Sequence, residues 1–303
     1  MYEIVSALWP VFALILLGYI ARRMDFPGES FWCQAEKATY FILFPVLLVY
    51  KLSQADMSAV ALDVIALSVI LLIIAGSLIT FLLKPVISSN AEGFTSVYQG
   101  SVRFNTYVGL AASAALFGSD GLAIAAVIMA IMIPSLNLCC VLVFAVYTHK
   151  DKGVSSALTA VAKNPLIIGS LTGLLLNQSG LGLPGFVEPV FELLSRMALP
   201  LGLLAVGAGL SFKVLKDCSK ELVGSSVVKL LLMPLIAVGI TTVLELDPLS
   251  SQLLLLYAAL PTATSAYILA RQMGGDAPMM AAIITGQTLI SMCTMPLVIL
   301  LLA

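Results

Sequence analysis

Apolar runs of roughly twenty residues recur along this chain, most of them closed by a short connection that carries charge. At 1.5 Å rise per residue, a run of that length spans the roughly 30 Å hydrocarbon core of a bilayer as an α-helix. Ten such runs can be marked: 4–21, 34–51, 60–83, 96–117, 121–147, 157–177, 187–210, 223–244, 250–270 and 277–302. Lipid offers backbone N–H and C=O groups no partner, so each run must satisfy them within a helix. Of 303 residues, 60% are hydrophobic and 10% charged, where soluble domains carry roughly 25% charged residues. A soluble fold of this size has no interior large enough for so much apolar surface. The expected fold class is an all-α polytopic membrane protein with the lipid bilayer as its solvent.

Charge narrows the reading further. The net charge is -1, from 15 basic and 16 acidic residues, which gives no footprint for nucleic acid. Basic residues gather in alternate connections: Arg22 and Arg23; Lys84; His149, Lys150 and Lys152; Lys213, Lys216 and Lys220; Arg271. The other connections carry Lys51 and otherwise Asp120, Glu188, Glu245 and Asp247. Lys and Arg are retained on the cytoplasmic side, so ten spans place both termini on the non-cytoplasmic side of the inner (plasma) membrane. The first run follows Glu3 without a basic leader and reads as a retained span. Five cysteines (Cys33, Cys139, Cys140, Cys218 and Cys293) form no CxxC pair and read as small core hydrophobes. Trp9 and Trp32 read as interfacial anchors.

The two halves repeat one another. Pro10 and Gly18 match Pro165 and Gly173 at an offset of 155, and Pro45 matches Pro200 at the same offset. At 156, Gly118 and Asp120 match Gly274 and Asp276. The halves, 1–150 and 151–303, each hold five spans, so the second enters the membrane inverted. Inverted repeats recur in secondary transporters, which need related gates toward two compartments.

In such carriers the substrate sits near the midplane, where corresponding helices of the two halves are broken. The fourth and ninth spans, the most polar of the ten, fit that description. The fourth holds Arg-Phe-Asn-Thr-Tyr (103–107) and the ninth Leu-Pro-Thr-Ala-Thr-Ser (260–265). Asn105 aligns with Pro261 and Thr106 with Thr262 at offset 156. Proline removes a donor and clashes with the preceding turn, so an interruption at Pro261 is expected. The candidate substrate-binding residues are Asn105, Thr106, Asn137, Pro261, Thr262, Thr264, Ser265 and Gln287; Arg103 and Lys229 are candidates for coupling or gating. The bland alternative for these amides is interhelical glue, and for Lys229 a side chain that snorkels to the interface. Half-helix N-termini at the breaks would favour a carboxylate. No phosphate loop, zinc-protease motif, Ser–His couple or intramembrane aspartate pair is present, so no enzyme, cofactor or metal is implied.

At these two breaks the chain resembles the auxin efflux carrier family, which includes plant PIN exporters and bacterial malate-permease-like proteins. The likeness rests on Arg-Phe-Asn-Thr-Tyr-Val-Gly-Leu (103–110), Ala-Ala-Leu-Pro-Thr-Ala-Thr-Ser-Ala-Tyr (258–267), Ala-Arg-Gln-Met-Gly-Gly-Asp (270–276), Asn-Pro-Leu-Ile-Ile-Gly (164–169) and the Leu199–Leu210 run. The resemblance implies ten helices in two inverted repeats of five, with crossing helices 4 and 9. It implies a scaffold of 1–55 plus 157–212 that holds a homodimer contact, and a mobile transport domain of 56–150 plus 213–303. That domain would carry a small organic anion, an auxin-like acid or a dicarboxylate, by an elevator motion. Phe104 stands where plant exporters tend to have a crossover proline, which predicts a milder or shifted break in the fourth span. The long hydrophilic loop of many plant members is replaced by a short Lys150–Lys163 connection. A membrane-embedded ligand sensor on a carrier fold is the alternative function.

Overall fold

A computed structural model describes residues 2–55, 61–88, 90–148, 163–212, 215 and 220–302. The basic loop at His149, Lys150 and Lys152, the start of the expected sixth span (157–162), and Lys213, Lys216 and Cys218 lie outside the described residues. All regular secondary structure among the described residues is helical. Helix α1 is Tyr2–Arg23; α2 (Glu29–Ala38), a π-helical turn (Thr39–Leu43) and α3 (Phe44–Gln54) run on continuously; α4 is Leu62–Ile87. Then come α5 (Ala91–Val102), α6 (Thr106–Thr148), α7 (Pro165–Ser179) and α8 (Glu188–Ala208). Helix α9 (Lys220–Val227), a second π turn (Val228–Leu232) and α10 (Met233–Val243) form another continuous segment, followed by α11 (Pro248–Ala259), α12 (Ser265–Met273) and α13 (Ala277–Leu302). Helix occupies each of the ten expected runs, with interruptions in the fourth and ninth and with the sixth described from Pro165 onward. By length and composition, six helical stretches among the described residues can each cross a bilayer.

Local chemistry explains the boundaries. Each π turn lies just before a proline, Pro45 or Pro234, at the start of the next helix. Proline has no N–H for the carbonyl four residues back, and a widened turn absorbs that defect without ending the helix. Asn90 caps α5 by accepting from Gly93 N at 2.6 Å, and Asp247 caps α11 by accepting from Ser250 N at 3.0 Å. Within α6 the chain bends at Gly118, whose φ of 64° a side-chain-bearing residue rarely adopts.

The closest helix approaches join α1 to α8 and α3 to α7. A Cβ on Gly18 of α1 would stand 2.0 Å from the Leu204 carbonyl oxygen of α8. A Cβ on Gly173 of α7 would stand 3.1 Å from Val49 Cα of α3. Small residues let backbones touch where dispersion must hold helices together in lipid. The other side of the molecule packs α4–α6 and α9–α13 around buried Tyr98, Phe94 and Tyr257. Large apolar residues on the periphery, among them Trp9, Leu175 and Leu82, are 65–70% exposed, as lipid-facing side chains are. Trp32 is instead 6% exposed, with its indole N–H on the Phe26 carbonyl at 3.2 Å, so it pins the α1–α2 turn from inside the protein.

Candidate functional site at the helix crossing

The fourth and ninth runs are both broken, and the breaks meet. Helix α5 ends at Val102 and α6 starts at Thr106, leaving residues 103–105 outside any helix; α11 ends at Ala259 and α12 starts at Ser265. Asn105 N donates to the Pro261 carbonyl oxygen at 2.7 Å, joining the two segments. Leu260 is extended (φ -62°, ψ 146°), as the residue before a proline prefers. The first break is complete and not mild, although Phe104 fills the proline position. Its cause is Asn105, whose Oδ1 accepts from Tyr107 N (3.0 Å) and Val108 N (3.2 Å) and so begins a new helix.

Breaking two helices in an apolar bundle strands carbonyls, and polar side chains cover them. Lys229 Nζ, wholly buried, donates to the Tyr257 carbonyl at 3.3 Å. Gln287 Nε2 donates to Gly100 O at 3.0 Å while its Oε1 accepts from Thr262 N at 2.9 Å. The Thr262 hydroxyl donates to Gln99 O at 3.0 Å. Lys229 therefore does not snorkel. Asn105, Pro261, Thr262 and Gln287 are the fabric of the crossing, and the last two reach across it.

Beside the crossing lies a small cavity of about 50 Å³, lined by Tyr40, Arg103, Phe104, Thr106, Ile133, Leu136, Asn137, Asn164, Leu166, Ala263 and Ser265. No carboxylate lines it. Arg103 donates from Nη2 to Ser265 Oγ at 3.3 Å, and its Nη1 is buried without a partner among the described residues, as is Asn105 Nδ2. Three helices begin at the cavity, α12 among them, which starts at the lining residue Ser265. Helix α6 starts at Thr106, and α7 is capped by Asn164, whose Oδ1 takes Leu166 N at 2.9 Å and whose Nδ2 donates to Tyr40 Oη at 3.2 Å. A guanidinium, three helix N-termini and amide donors, with no acid in the cavity wall, form an anion-favouring environment. Four sequence-derived residues, Arg103, Thr106, Asn137 and Ser265, line this cavity. Thr264 is half-buried and lies outside its wall.

Sequence reasoning missed Tyr40 and Asn164 as site residues. For Asn164 a signal existed: Asn-Pro is a cap followed by a first-turn proline, and a cap announces a helix N-terminus. Tyr40 offers none, because only the fold brings its π turn against α7.

A bundle of long apolar helices around two broken, polar, mutually bonded segments has the build of a membrane transporter. Residues 3–299 match the family model described as membrane transport protein, and the chain belongs to that family. This bears out the resemblance to auxin efflux carriers and identifies a transporter, not an enzyme. The chain is 26% identical over 294 residues to an "Uncharacterized transporter" of Methanothermobacter thermautotrophicus, covering 95% of this chain and 94% of that protein. It is 27% identical over 318 residues to a "Putative malonate transporter" of Rhizobium meliloti, covering 97% and 94%. It is 25% identical over 276 residues to the "Uncharacterized transporter YfdV" of Escherichia coli, covering 88% and 87%.

Proposed function

We propose that this chain is a secondary carrier for a small organic anion, a carboxylate such as a dicarboxylate, bound beside the helix crossing. The observation that carries the reading is the wall of the crossing cavity: Arg103 with an unpartnered nitrogen, three helix N-termini, Asn137 and Ser265, and no acid. The Rhizobium relative, named for malonate, is consistent with a dicarboxylate.

Ten spans in two inverted five-helix repeats suit the packing. At the offset of 155, Gly18 against Leu204 becomes Gly173 against Val49, and both contacts are present. An elevator motion suits the position of the cavity. Tyr40, Asn164 and Leu166 belong to the proposed scaffold (1–55 plus 157–212); every other lining residue belongs to the proposed transport domain (56–150 plus 213–303). Phe44 of the first stacks on Tyr107 of the second, with ring centroids 5.0 Å apart. Sliding across such an apolar contact breaks no hydrogen bond of its own. The cavity holds only a few waters, at roughly 10–15 Å³ for each, so substrate entry requires the two parts to separate. In this scheme Thr264 starts the half-helix that α12 provides, Lys229 stays with the transport domain as a fixed hydrogen-bond donor at the end of α11, and the scaffold carries the dimer contact.

Counterflow of radiolabelled malonate in liposomes containing the purified protein tests the reading. Saturable uptake, reduced at least about tenfold in Arg103→Gln (a charged hydrogen bond contributes roughly 1.5–3 kcal/mol), is expected. Saturable binding without counterflow would instead make the chain a sensor.

A further inference from the structure

Away from the crossing, two cavities share Tyr147 and follow one another along α4. The first, about 500 Å³, is an apolar groove between α4 and α6, walled by Ile73, Ile74, Leu78, Phe81, Leu142 and Val146. Its floor carries a half-buried polar pair, Ser77 Oγ and Tyr98 Oη, 2.8 Å apart. The second, about 420 Å³, is walled by Lys84, Pro85, Ser88, Asn90, Ala91 and Tyr147, at the start of α5. Lys84 Nζ lies 4.0 Å from the Tyr147 ring centroid and 5.1 Å from that of Phe94, which holds the ammonium between the two cavities. Among the described residues no carboxylate lies within 4.0 Å of it.

We infer that this pair of cavities is a binding site for one anionic phospholipid, its phosphate beside Lys84 and an acyl chain in the α4–α6 groove. Three features select that occupant over a soluble anion or a peptide. The groove faces the membrane between two long apolar helices, where hydrocarbon is the surrounding solvent. From Ile73 to Lys84 the wall changes from apolar to cationic, in the order in which a lipid presents chain and head. Lys84 also lies in one of the connections read as cytoplasmic, where the leaflet surface is negative and each basic residue attracts anionic lipid by about 1 kcal/mol. The positive end of α5 points into the same polar cavity, and Glu92 of its first turn lines neither cavity. Both helices belong to the proposed transport domain, so a lipid here would travel with it. The site itself does not depend on what the carrier transports.

Native mass spectrometry of the purified full-length chain, with phosphatidylglycerol and phosphatidylcholine of equal chain length added in equal amounts, tests this. One tightly retained phosphatidylglycerol is expected, preferred about fivefold, the ratio that about 1 kcal/mol per basic residue corresponds to. Lys84→Gln should abolish the preference and Lys84→Arg should keep it. Leu142→Trp, which fills the groove, should lower retention of both lipids, and inorganic phosphate should not compete. Equal retention of the two lipids by the unmodified protein, an unchanged preference in Lys84→Gln, or displacement by inorganic phosphate would overturn the inference.

Discussion

The Lys229 side-chain nitrogen stands 3.3 Å from the backbone carbonyl of Tyr257, the acceptor that Pro261 leaves empty. In an unbroken helix the N–H of residue 261 would take that carbonyl, and proline has none. A lysine from another helix thus completes a turn that a proline opened, and each residue accounts for the other. Lys229→Met keeps an unbranched side chain one atom shorter but leaves the carbonyl unpaired, at a cost of about 1–3 kcal/mol. Pro261→Ala supplies an N–H that can take the same acceptor once Leu260 turns helical. The double variant should therefore lose less stability than the two single variants added together, by about 1 kcal/mol. Thermal unfolding of the four purified proteins measures this. Strict additivity would show that the two positions act independently.

Asn105 holds two roles that substitution can separate. Its side-chain oxygen caps α6, while its Nδ2, 1% exposed at the residue level, has no partner among the described residues. Asn105→Ala removes both and should lose about 1 kcal/mol along with uptake. Asn105→Ser keeps a capping oxygen and gives up the amide donor. It should unfold within a few degrees of the unmodified protein yet transport at least about tenfold more slowly, the loss that one hydrogen bond to a charged ligand implies. Serine variants with full uptake would reduce Asn105 to a cap.

Orientation is another property that a simple measurement resolves. In a background without native cysteines, Phe186→Cys on the α7–α8 connection, 85% exposed, should react with an impermeant thiol reagent applied to intact cells. Ser88→Cys, beside Lys84 at the other end of the helices, should react only after the membrane is opened. The reverse pattern would invert the assignment of both termini.

Much of this architecture is legible in the order of the amino acids, because lipid removes choices. Apolar runs must be helices, so their positions follow from hydropathy, and Pro261 announces its own break. The break at residues 103–105 is legible as polarity but not as geometry. Phe104 argues for a continuous helix, and what overrides it is a capping bond from Asn105 that any asparagine can make or decline. The partners of Lys229 and Gln287 are illegible. Both bind backbone carbonyls, which every residue possesses, so nothing in the sequence singles out Tyr257 or Gly100. Asn164 and Tyr40 escape for a related reason: the cavity joins segments more than a hundred residues apart, and only packing makes them neighbours.

The paired glycines of the α1–α8 and α3–α7 contacts supply the last test. A methyl group on Gly18 would meet the Leu204 carbonyl oxygen at 2.0 Å, and that oxygen belongs to the backbone of a helix that cannot yield locally. Gly18→Ala should force α1 and α8 apart and cost roughly 1–3 kcal/mol, the usual range for overpacking. Gly239 of α10 is the control: it is exposed, and a methyl group added there would meet no atom within 4 Å. Gly239→Ala should be neutral or gain up to about 1 kcal/mol, because alanine loses less backbone entropy in a helix. Thermal unfolding of the two variants should therefore move in opposite directions or, for Gly239→Ala, not at all. If Gly18→Ala unfolded at the temperature of the unmodified protein, α1 and α8 would be free to separate, and a rigid scaffold built on that contact would no longer stand.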